Sequence, residues 1–247
     1  MAELAGPMVE AVTRALAILD AFTIDDASLR LTELARRTAL PKNSVLRLAR
    51  TLAAGGYLSM TEQREWRLGP AAAWLGARYQ VAFDLHNTIE PEMRSLAQAT
   101  GRSVSYFVHD GHSRIRLLHV HGGDANAGVK RVGEPMPMDR GSPGQVLLAF
   151  SGRQGALYDT IRKHGYHLTI GEARRGRASV SAPVFGSRWT IVGAITIGVP
   201  AAEATESLLR GYVPALVAAT TKLSRALAQD QASITKLKHS SAAWFPT

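Results

Sequence analysis

Three polar side chains that can recognise bases share one face of a helix predicted in the N-terminal third of the chain. Wound at about 3.6 residues per turn, this segment brings Asn43, Arg47 and Arg50 together. An arginine can donate two hydrogen bonds to guanine, and an asparagine can form two with adenine. Lys42 and Ser44 stand at the start of the helix, where their side chains suit phosphate oxygens. The residue types and their spacing predict a helix that binds the major groove of double-stranded DNA.

The opposite face of this helix is apolar and is formed by Val45, Leu48, Ala49 and Leu52. Such a stripe predicts packing against a core. Pro41 suits the first helical turn, where its missing N–H costs nothing, and Gly55-Gly56 predicts the helix end. Arginine is also common on ordinary solvated helices, so the neighbouring elements decide between the two interpretations.

The neighbouring elements occur in the order of a winged helix-turn-helix. A first helix, over residues 9–22, is predicted to close the core with Val12, Ala15, Leu16 and Leu19. A second helix begins near Thr32, which is a plausible N-cap. Downstream, residues 57–59 and 66–68 alternate around a polar turn, as the strands of a hairpin do. We therefore predict a winged helix-turn-helix DNA-binding domain over residues 9–69.

The hairpin and the charge distribution extend the candidate DNA surface. Arg64 and Arg67 are predicted to contact phosphates or the minor groove, although an exposed hairpin tip has the same composition. The formal charge of the chain is +9. Between residues 33 and 52, Glu33 is the only acidic residue, and the basic ones are Arg36, Arg37, Lys42, Arg47 and Arg50. This local excess predicts a polyanionic partner.

The chain resembles a known family on several stretches. The N-terminal ones are TRALAILDAF, LTELARRTALPKNSVLRLARTLAAGGYL and WRLGP, and the C-terminal ones are IRKHGYHLTIGEARRGRASVSAPVF and IVGAITIGVPA. These stretches resemble the IclR family of bacterial transcriptional regulators. The chain departs from the family's frequent residues at Ala39, Asn43, Ser142 and Gln145. The resemblance implies a homodimer or homotetramer with a GAF-like C-terminal domain that binds a small-molecule effector.

Composition excludes some classes of protein. The chain has no cysteine, so disulfides, cysteine metal sites and thiol catalysis are excluded. Its N-terminus lacks the pattern of a signal peptide, and no apolar run approaches the roughly 20 residues of a membrane span. We therefore expect a soluble, cytoplasmic regulator that is not an enzyme, needs no cofactor and does not bind membranes.

The second half of the chain reads as an α+β domain. A linker helix over residues 70–83 is predicted to be a dimer element, and an effector-binding domain to occupy residues 84–229. Within that domain the first predicted element is a helix over 84–100 that Pro91 kinks or breaks. Two strand pairs follow, one of 103–109 with 114–121 and one of 178–185 with 190–199. A long helix over 203–228 is predicted last. The tail, residues 230–247, carries no functional prediction.

The candidate effector site lies at a Gly-rich turn before an apolar helix. Backbone N–H groups near Ser142, Gly144 and Gln145 would hold a carboxylate at the helix N-terminus. The adaptable apolar wall is formed by Met136 and Met138. Alternation places Ser179 and Ser181 on one face of a strand, either as donors from the opposite wall or towards solvent. Methionines that fill a core and glycines that make a turn would leave the same pattern. As the family senses such metabolites, we expect a small, largely apolar organic acid.

Two enzymatic alternatives use other residues. Alternation places His119 and His121 on one face, where Asp124 or His109 could complete a metal site of a metal-dependent hydrolase that carries a DNA-binding module. Because Ile115 and Leu117 share that face by the same alternation, packed histidines are favoured over ligands. Ser142 follows a glycine, but the segment lacks the G-x-S-x-G spacing of a nucleophile elbow.

Overall fold

The chain folds as two compact units, Met1–Phe83 (unit 1) and Asp84–Thr247 (unit 2). The computed structural model describes residues 8–82, 85–111, 113–123, 132–172 and 175–240, with backbone alone for 229–240. Within these ranges no helix combines the length and the apolar character that crossing a membrane requires. The α+β architecture with an N-terminal helix-turn-helix is confirmed.

Unit 1 is built on helices α1 (Glu10–Asp20), α2 (Leu31–Thr38) and α3 (Lys42–Ala54). Its core contains the fully buried side chains of Ile18, Leu34, Val45 and Ala49. The turn between α2 and α3 passes through Ala39 in the left-handed region, at φ 55°. Thr32 is not the N-cap of α2, because the helix already begins at Leu31 and no side chain caps it.

The predicted apolar stripe of α1 is partly wrong. Val12 and Leu16 are 55% and 54% exposed, whereas Ile18, which the prediction left out, is completely buried. Apolar residues surround this helix on more than one side, so spacing alone does not select the buried stripe. Contact with the rest of the core at Ile18 and Leu19 makes that selection.

The wing is a short antiparallel hairpin of β1 (Leu58–Met60) and β2 (Trp66–Leu68). A third segment extends it, because Leu29 and Trp66 exchange backbone hydrogen bonds of 2.7 and 2.8 Å. Helix α4 (Pro70–Ala82) follows the hairpin directly. Its large apolar side chains Trp74, Leu75, Tyr79 and Val81 are exposed.

Unit 2 is an antiparallel sheet between helices, with strand order β5-β4-β3-β8-β7-β6. The strands are β3 (Ser103–Asp110), β4 (Ser113–Val120), β5 (Pro135–Pro137), β6 (His167–Ile170), β7 (Arg177–Phe185) and β8 (Ile191–Pro200). The helices are a π-helical turn (Leu85–Ile89), α5 (Glu90–Thr100), α6 (Ser142–Phe150), α7 (Ala156–His164), a short 3-10 turn (Ser187–Trp189), α8 (Glu206–Gly211) and α9 (Val213–Ser240).

The predicted long helix over 203–228 is two helices, α8 and α9. Thr205 caps α8 by accepting a hydrogen bond from the Leu208 amide. The break falls after Gly211, and Pro214 stands in the first turn of α9, where its missing N–H needs no partner. Helical backbone continues to Ser240, beyond the predicted end of the helix at residue 228.

The two faces of the sheet have different partners. Val104, Tyr106, Val180 and Ile197 belong to a core with side chains of α5 and α9. The opposite face carries Phe107 and Ala194 in a second core with α6 and α7. Ser181 and Thr196 are paired across β7 and β8 and lie on this second face, which we call the α6 face.

A β-bulge in β4 changes which residues reach the α6 face. Tyr106 pairs with Leu118, but its neighbour Phe107 pairs with Arg116, so Leu117 is the extra residue. Paired residues point to the same side of a sheet. His119, opposite Ser105, and Arg116, opposite Phe107, therefore lie on the same face, together with Arg114. The prediction that Ile115 shares a face with His119 is wrong, because strict alternation fails at the bulge.

Candidate functional site

Helix α3 presents the predicted polar face to solvent. Lys42, Asn43, Arg47 and Arg50 are exposed and Ser44 is half-buried, while Val45 and Ala49 on the other side are completely buried. Gly55 ends the helix, and Gly56 follows with a left-handed φ of 75°. The five candidate residues of α3 thus belong to one continuous surface that starts at the helix N-terminus.

Two of the five basic residues counted in the local charge excess are neutralised within unit 1. Arg37 donates to both carboxylate oxygens of Asp26 at 2.6 and 3.0 Å and to Glu33 at 2.8 Å. Arg36 also binds Glu33, at 2.7 and 2.9 Å. Hydrogen bonds from Arg36 and Arg37 lower the pKa of Glu33 to about 2, and those from Arg37 and Thr23 lower the pKa of Asp26.

Basic side chains of α3 and of the hairpin tip carry positive charge that no described acidic side chain pairs. Within the part of the chain that the structure describes, none of Lys42, Arg47, Arg50 and Arg64 forms an ion pair. Arg64 occupies the hairpin tip with a left-handed φ of 59°, and Arg67 donates to the Ser59 hydroxyl at 3.0 Å.

The wing is tied to the start of α2 through Glu65. This carboxylate accepts hydrogen bonds from the Ser28 hydroxyl at 2.5 Å and from the Arg30 guanidinium at 3.0 Å, which lower the pKa of Glu65. Sequence reasoning missed this contact, because Ser28 and Glu65 lie 37 residues apart. The anchor holds the turn end of the hairpin, directly beside Arg64.

The candidate effector residues of α6 and β7 form a buried chain of hydroxyl groups. Ser142 Oγ lies 2.8 Å from Ser179 Oγ and 2.7 Å from Ser181 Oγ, and Ser181 Oγ lies 2.8 Å from Thr196 Oγ1. The Ser142 amide donates to Thr169 Oγ1 at 3.0 Å. Ser142 and Ser181 are completely buried, so both serines of β7 face the start of α6 and not solvent.

The other side of the first turn of α6 contacts β4 and β5. A β-carbon on Gly144 would stand 2.7 Å from Arg114 Nη1 and closer still to the Met138 carbonyl oxygen. The Gln145 side chain donates to the Asp139 carbonyl at 2.7 Å, while its Oε1 atom is buried without a hydrogen-bond partner. Met138 belongs to the core between α6, α7 and the sheet, and Met136 packs against that core.

Arg114 is the buried cation of this site, and sequence reasoning missed it. Its Nη1 atom donates to the Pro137 carbonyl, and its guanidinium lies 5.8 Å from the centre of the Phe107 ring. Burial and the nearby Arg116 lower the pKa of Arg114 to about 10, against the opposing charge of Asp139. A group with this pKa still carries its proton at neutral pH.

The described residues do not support the metal-dependent alternative. His119 and His121 do lie side by side, with ring centres 4.5 Å apart, but His119 Nδ1 is engaged with Ser105 Oγ at 3.0 Å. His109 pairs with Arg114 in the hairpin, well along the strand from Ser105, and Asp124 lies outside the described residues. Across the described ranges, no three His, Asp or Glu side chains could hold a metal ion together.

Ser142 is not arranged as a nucleophile. Among the described residues, the partners of its hydroxyl are the hydroxyls of Ser179 and Ser181. A serine nucleophile needs a base within hydrogen-bond reach, and a neutral hydroxyl does not serve as one.

Two family models match the chain, one in each unit. The IclR helix-turn-helix domain matches residues 11–61, and the bacterial transcriptional regulator IclR C-terminal domain matches residues 156–225. The HTH-type transcriptional regulator XynR of Escherichia coli K12 is 24% identical over an alignment of 247 positions that covers 90% of this chain and 98% of the relative.

Solved structures share the fold of this chain. A putative IclR transcriptional regulator from Silicibacter sp. TM1040 superposes with a TM-score of 0.78 at 23% identity, covering 88% of this chain and 96% of the other. An IclR homolog from Microbacterium hydrocarbonoxydans, complexed with 4-hydroxybenzoate, superposes with a TM-score of 0.71 at 21% identity, covering 86% of this chain and 98% of the other.

Proposed function

Because the chain belongs to the IclR family of bacterial transcriptional regulators, we propose that it binds a specific operator and releases or engages it in response to a small organic acid. Helix α3 and the β1–β2 wing form the DNA-reading surface of this proposal. Unit 2 binds the acid. The protein acts in the cytoplasm, where its DNA is, and it acts as a regulator and not as an enzyme.

The observation that carries the proposal is the unpaired cationic face of α3. Arg36 and Arg37 are engaged with acidic side chains, whereas Arg47 and Arg50 point to solvent. We assign Asn43, Arg47 and Arg50 to base edges in the major groove. The phosphate contacts are assigned to Lys42, Ser44, Arg64 and Arg67.

Operator reading of this kind requires two copies of the chain. A homodimer places two winged helices in successive major grooves, with half-sites separated by about 34 Å or a multiple of it. Exposed apolar side chains on α1 and α4, among them Leu16 and Trp74, support self-association of unit 1, because such groups are stabilised by burial. A homotetramer is then a pair of such dimers.

The proposed effector site is the first turn of α6 with the facing strands. Ser142, Gly144 and Gln145 supply the helix N-terminus, which favours a carboxylate. Ser179 and Ser181 supply hydroxyls, and Met136 and Met138 supply apolar wall. The 4-hydroxybenzoate bound by the Microbacterium homolog is an acid of the expected kind. Binding of the effector changes the affinity for DNA only as far as the effector itself binds one state of the protein more tightly than the other.

The first test is selection of bound duplexes from a random DNA pool, followed by salt-dependent titration of the selected sequence. We expect a two-fold symmetric motif that binds at least about a thousandfold more tightly than scrambled DNA. An Arg47→Ala, Arg50→Ala double variant should lose this preference and keep weak, salt-sensitive binding. Failure of the wild type to enrich any sequence would overturn the operator assignment.

The acid is tested separately by thermal shift with a metabolite panel that contains carboxylates, sugars and nucleosides. Carboxylates should raise the unfolding temperature and also change the affinity for the selected operator. Stabilisation by another metabolite class, with no effect of any carboxylate, would refute the organic-acid assignment and leave DNA binding untouched.

A further inference from the structure

Arg114 is an unusual residue for a buried position in a sheet. Its side chain is 4% exposed, and its Nε atom is buried without a hydrogen-bond partner. Its Nη1 atom donates to a backbone carbonyl, that of Pro137. Arginine has five N–H donors in a planar fork that matches a carboxylate or phosphate, so this side chain holds donors that the fold itself does not use.

Among the residues that the structure describes, no carboxylate pairs with Arg114. Within the described residues, Arg114 forms no ion pair, and the nearby Asp139 has an exposed carboxylate that lies 3.7 Å from Arg140. A buried charge without a counter-charge is costly, and proteins retain one where another component supplies the opposite charge. Packing on the Phe107 ring at 5.8 Å offsets only part of that cost.

The position of Arg114 indicates where the opposite charge belongs. Its Nη1 atom adjoins the first turn of α6 at Gly144, so a guanidinium and the positive end of a helix dipole meet at one point. Gln145 in the same turn has a second buried polar atom without a partner, Oε1, which is an acceptor and therefore fits a neutral donor group of a ligand and not its negative charge. Two unsatisfied side chains at one helix start are typical of a turn built around a ligand.

We propose that Arg114 binds the acidic group of the effector, which is then an anion held by this guanidinium beside the first turn of α6. The inference rests on the proposed function for its assumption that the ligand of unit 2 is the effector. It adds the residue that selects the charge of that ligand. Gly144 belongs to the same anion site, because any side chain there would separate the helix turn from the guanidinium.

The test compares acids with their neutral amides on wild-type protein and on Arg114→Met. The probes are acetate and acetamide, succinate and succinamide, and 4-hydroxybenzoate and 4-hydroxybenzamide. At least one acid should raise the unfolding temperature of the wild type where its amide does not. In Arg114→Met the affinity for that acid should fall at least about tenfold. The unliganded variant should be as stable as the wild type or more stable, because an unpaired buried charge is removed.

Arg116→Met is the matched control. Arg116 lies on the same strand, and its guanidinium is 5.0 Å from the same Phe107 ring, but the cationic atom nearest the β-carbon position of Gly144 belongs to Arg114. This control should keep the acid response within a few-fold of the wild type. If Arg114→Met does not fold, Arg114→Lys replaces it, because lysine keeps the charge but lacks the two-point fork and should bind the acid more weakly.

The proposal is wrong if no acid outperforms its amide on the wild type, or if the Arg114 variants bind the acid as the wild type does. Operator titration separates this failure from failure of the proposed function. An acid that alters operator binding of wild type and Arg114→Met equally refutes the role of Arg114 and supports the regulation. Acid binding that is lost in Arg114→Met, with wild-type operator affinity indifferent to the acid, supports the anion site and refutes the regulation.

Discussion

Arg114 Nη1 lies 2.7 Å from the point at which a β-carbon on Gly144 would stand. Strand β4 and the first turn of α6 can approach this closely only because residue 144 has no side chain. The Met138 carbonyl adds a backbone atom on the same side, which cannot rotate away as a flexible side chain can. This contact joins the buried cation of the sheet to the helix N-terminus.

Gly144→Ala should therefore lower the free energy of unfolding by about 1–3 kcal/mol, because the new methyl group overpacks the contact. Urea unfolding of the full chain measures the change. Gly211→Ala is the control, since the β-carbon position at this helical glycine of unit 2 is open. The control should be neutral or stabilised by up to about 1 kcal/mol. Unchanged stability of Gly144→Ala would contradict the close approach.

Ser181→Ala should cost about 1–3 kcal/mol of stability, because it takes from the buried Thr196 hydroxyl its hydrogen bond to Ser181 and leaves the Ser142 hydroxyl with Ser179 alone. Thermal unfolding checks this value. Thr160→Ala, which removes an exposed hydroxyl bonded to its own helix at Ala156, is the comparison and should change stability little. Equal losses of stability in the two variants would mean that the buried hydroxyl chain stabilises the fold no more than an exposed hydroxyl does.

Arg47→Ala should weaken binding to the selected operator by about 1–3 kcal/mol and flatten base preference at one position of each half-site. Arg36→Ala provides the control, because Arg36 is exposed on α2 and engaged with Glu33. Titration on specific and random duplexes distinguishes a base contact of Arg47 from a phosphate contact. Equal weakening on both duplexes would reassign Arg47 to a phosphate.

Arg64→Ala should weaken binding to all sequences alike and reduce the slope of log K against log salt by about 1, because a phosphate contact releases one counterion. Titrations at several salt concentrations measure the slope. Arg94→Ala removes the same charge from an exposed helix of unit 2 and should leave the slope unchanged. A loss confined to the specific operator would place Arg64 against a base instead.

Acid should destabilise unit 1 through Asp26. Folding lowers the pKa of this carboxyl, chiefly through hydrogen bonds from Arg37, so its stabilising effect is present above the ordinary aspartate pKa and is lost as pH falls through the folded value. The unfolding temperature of wild type should fall between about pH 4 and about pH 2, and that of Asp26→Asn should fall less. Circular dichroism follows the transition.

Asp20→Asn is the control for charge, because it removes one carboxylate from unit 1 without touching Arg37. Its pH profile should follow that of the wild type. If Asp26→Asn also follows the wild type, the contact between Arg37 and Asp26 does not stabilise the folded state.

Periodic elements were predictable from the sequence, because a helix and a strand each leave a repeat that the local chain must obey. The stripe of Val45 and Ala49, and the exposed face with Arg47 and Arg50, needed no knowledge of distant residues. The order of three helices and a hairpin was equally local. For the same reason, the DNA-reading candidates could be named from residue types and spacing.

The tertiary structure alone decided which residues meet across long separations. Thr169, Ser181 and Thr196 join Ser142 because three strands place them on the α6 face. The ion pair of Arg37 with Asp26 likewise depends on the packing of α2 against the loop before it, whereas Arg36 and Glu33 pair within one turn of the helix.

Arg114 shows the same limit most clearly. Strict alternation separates it from His119, yet the bulge at Leu117 adds one residue and turns Arg114 and Arg116 onto the α6 face. A bulge is a property of two paired strands, so it leaves no repeat in either strand by itself. The sequence by itself determined the architecture and the exposed polar face of α3 that we propose reads DNA, and only strand pairing in three dimensions decided which cation stands at the start of α6.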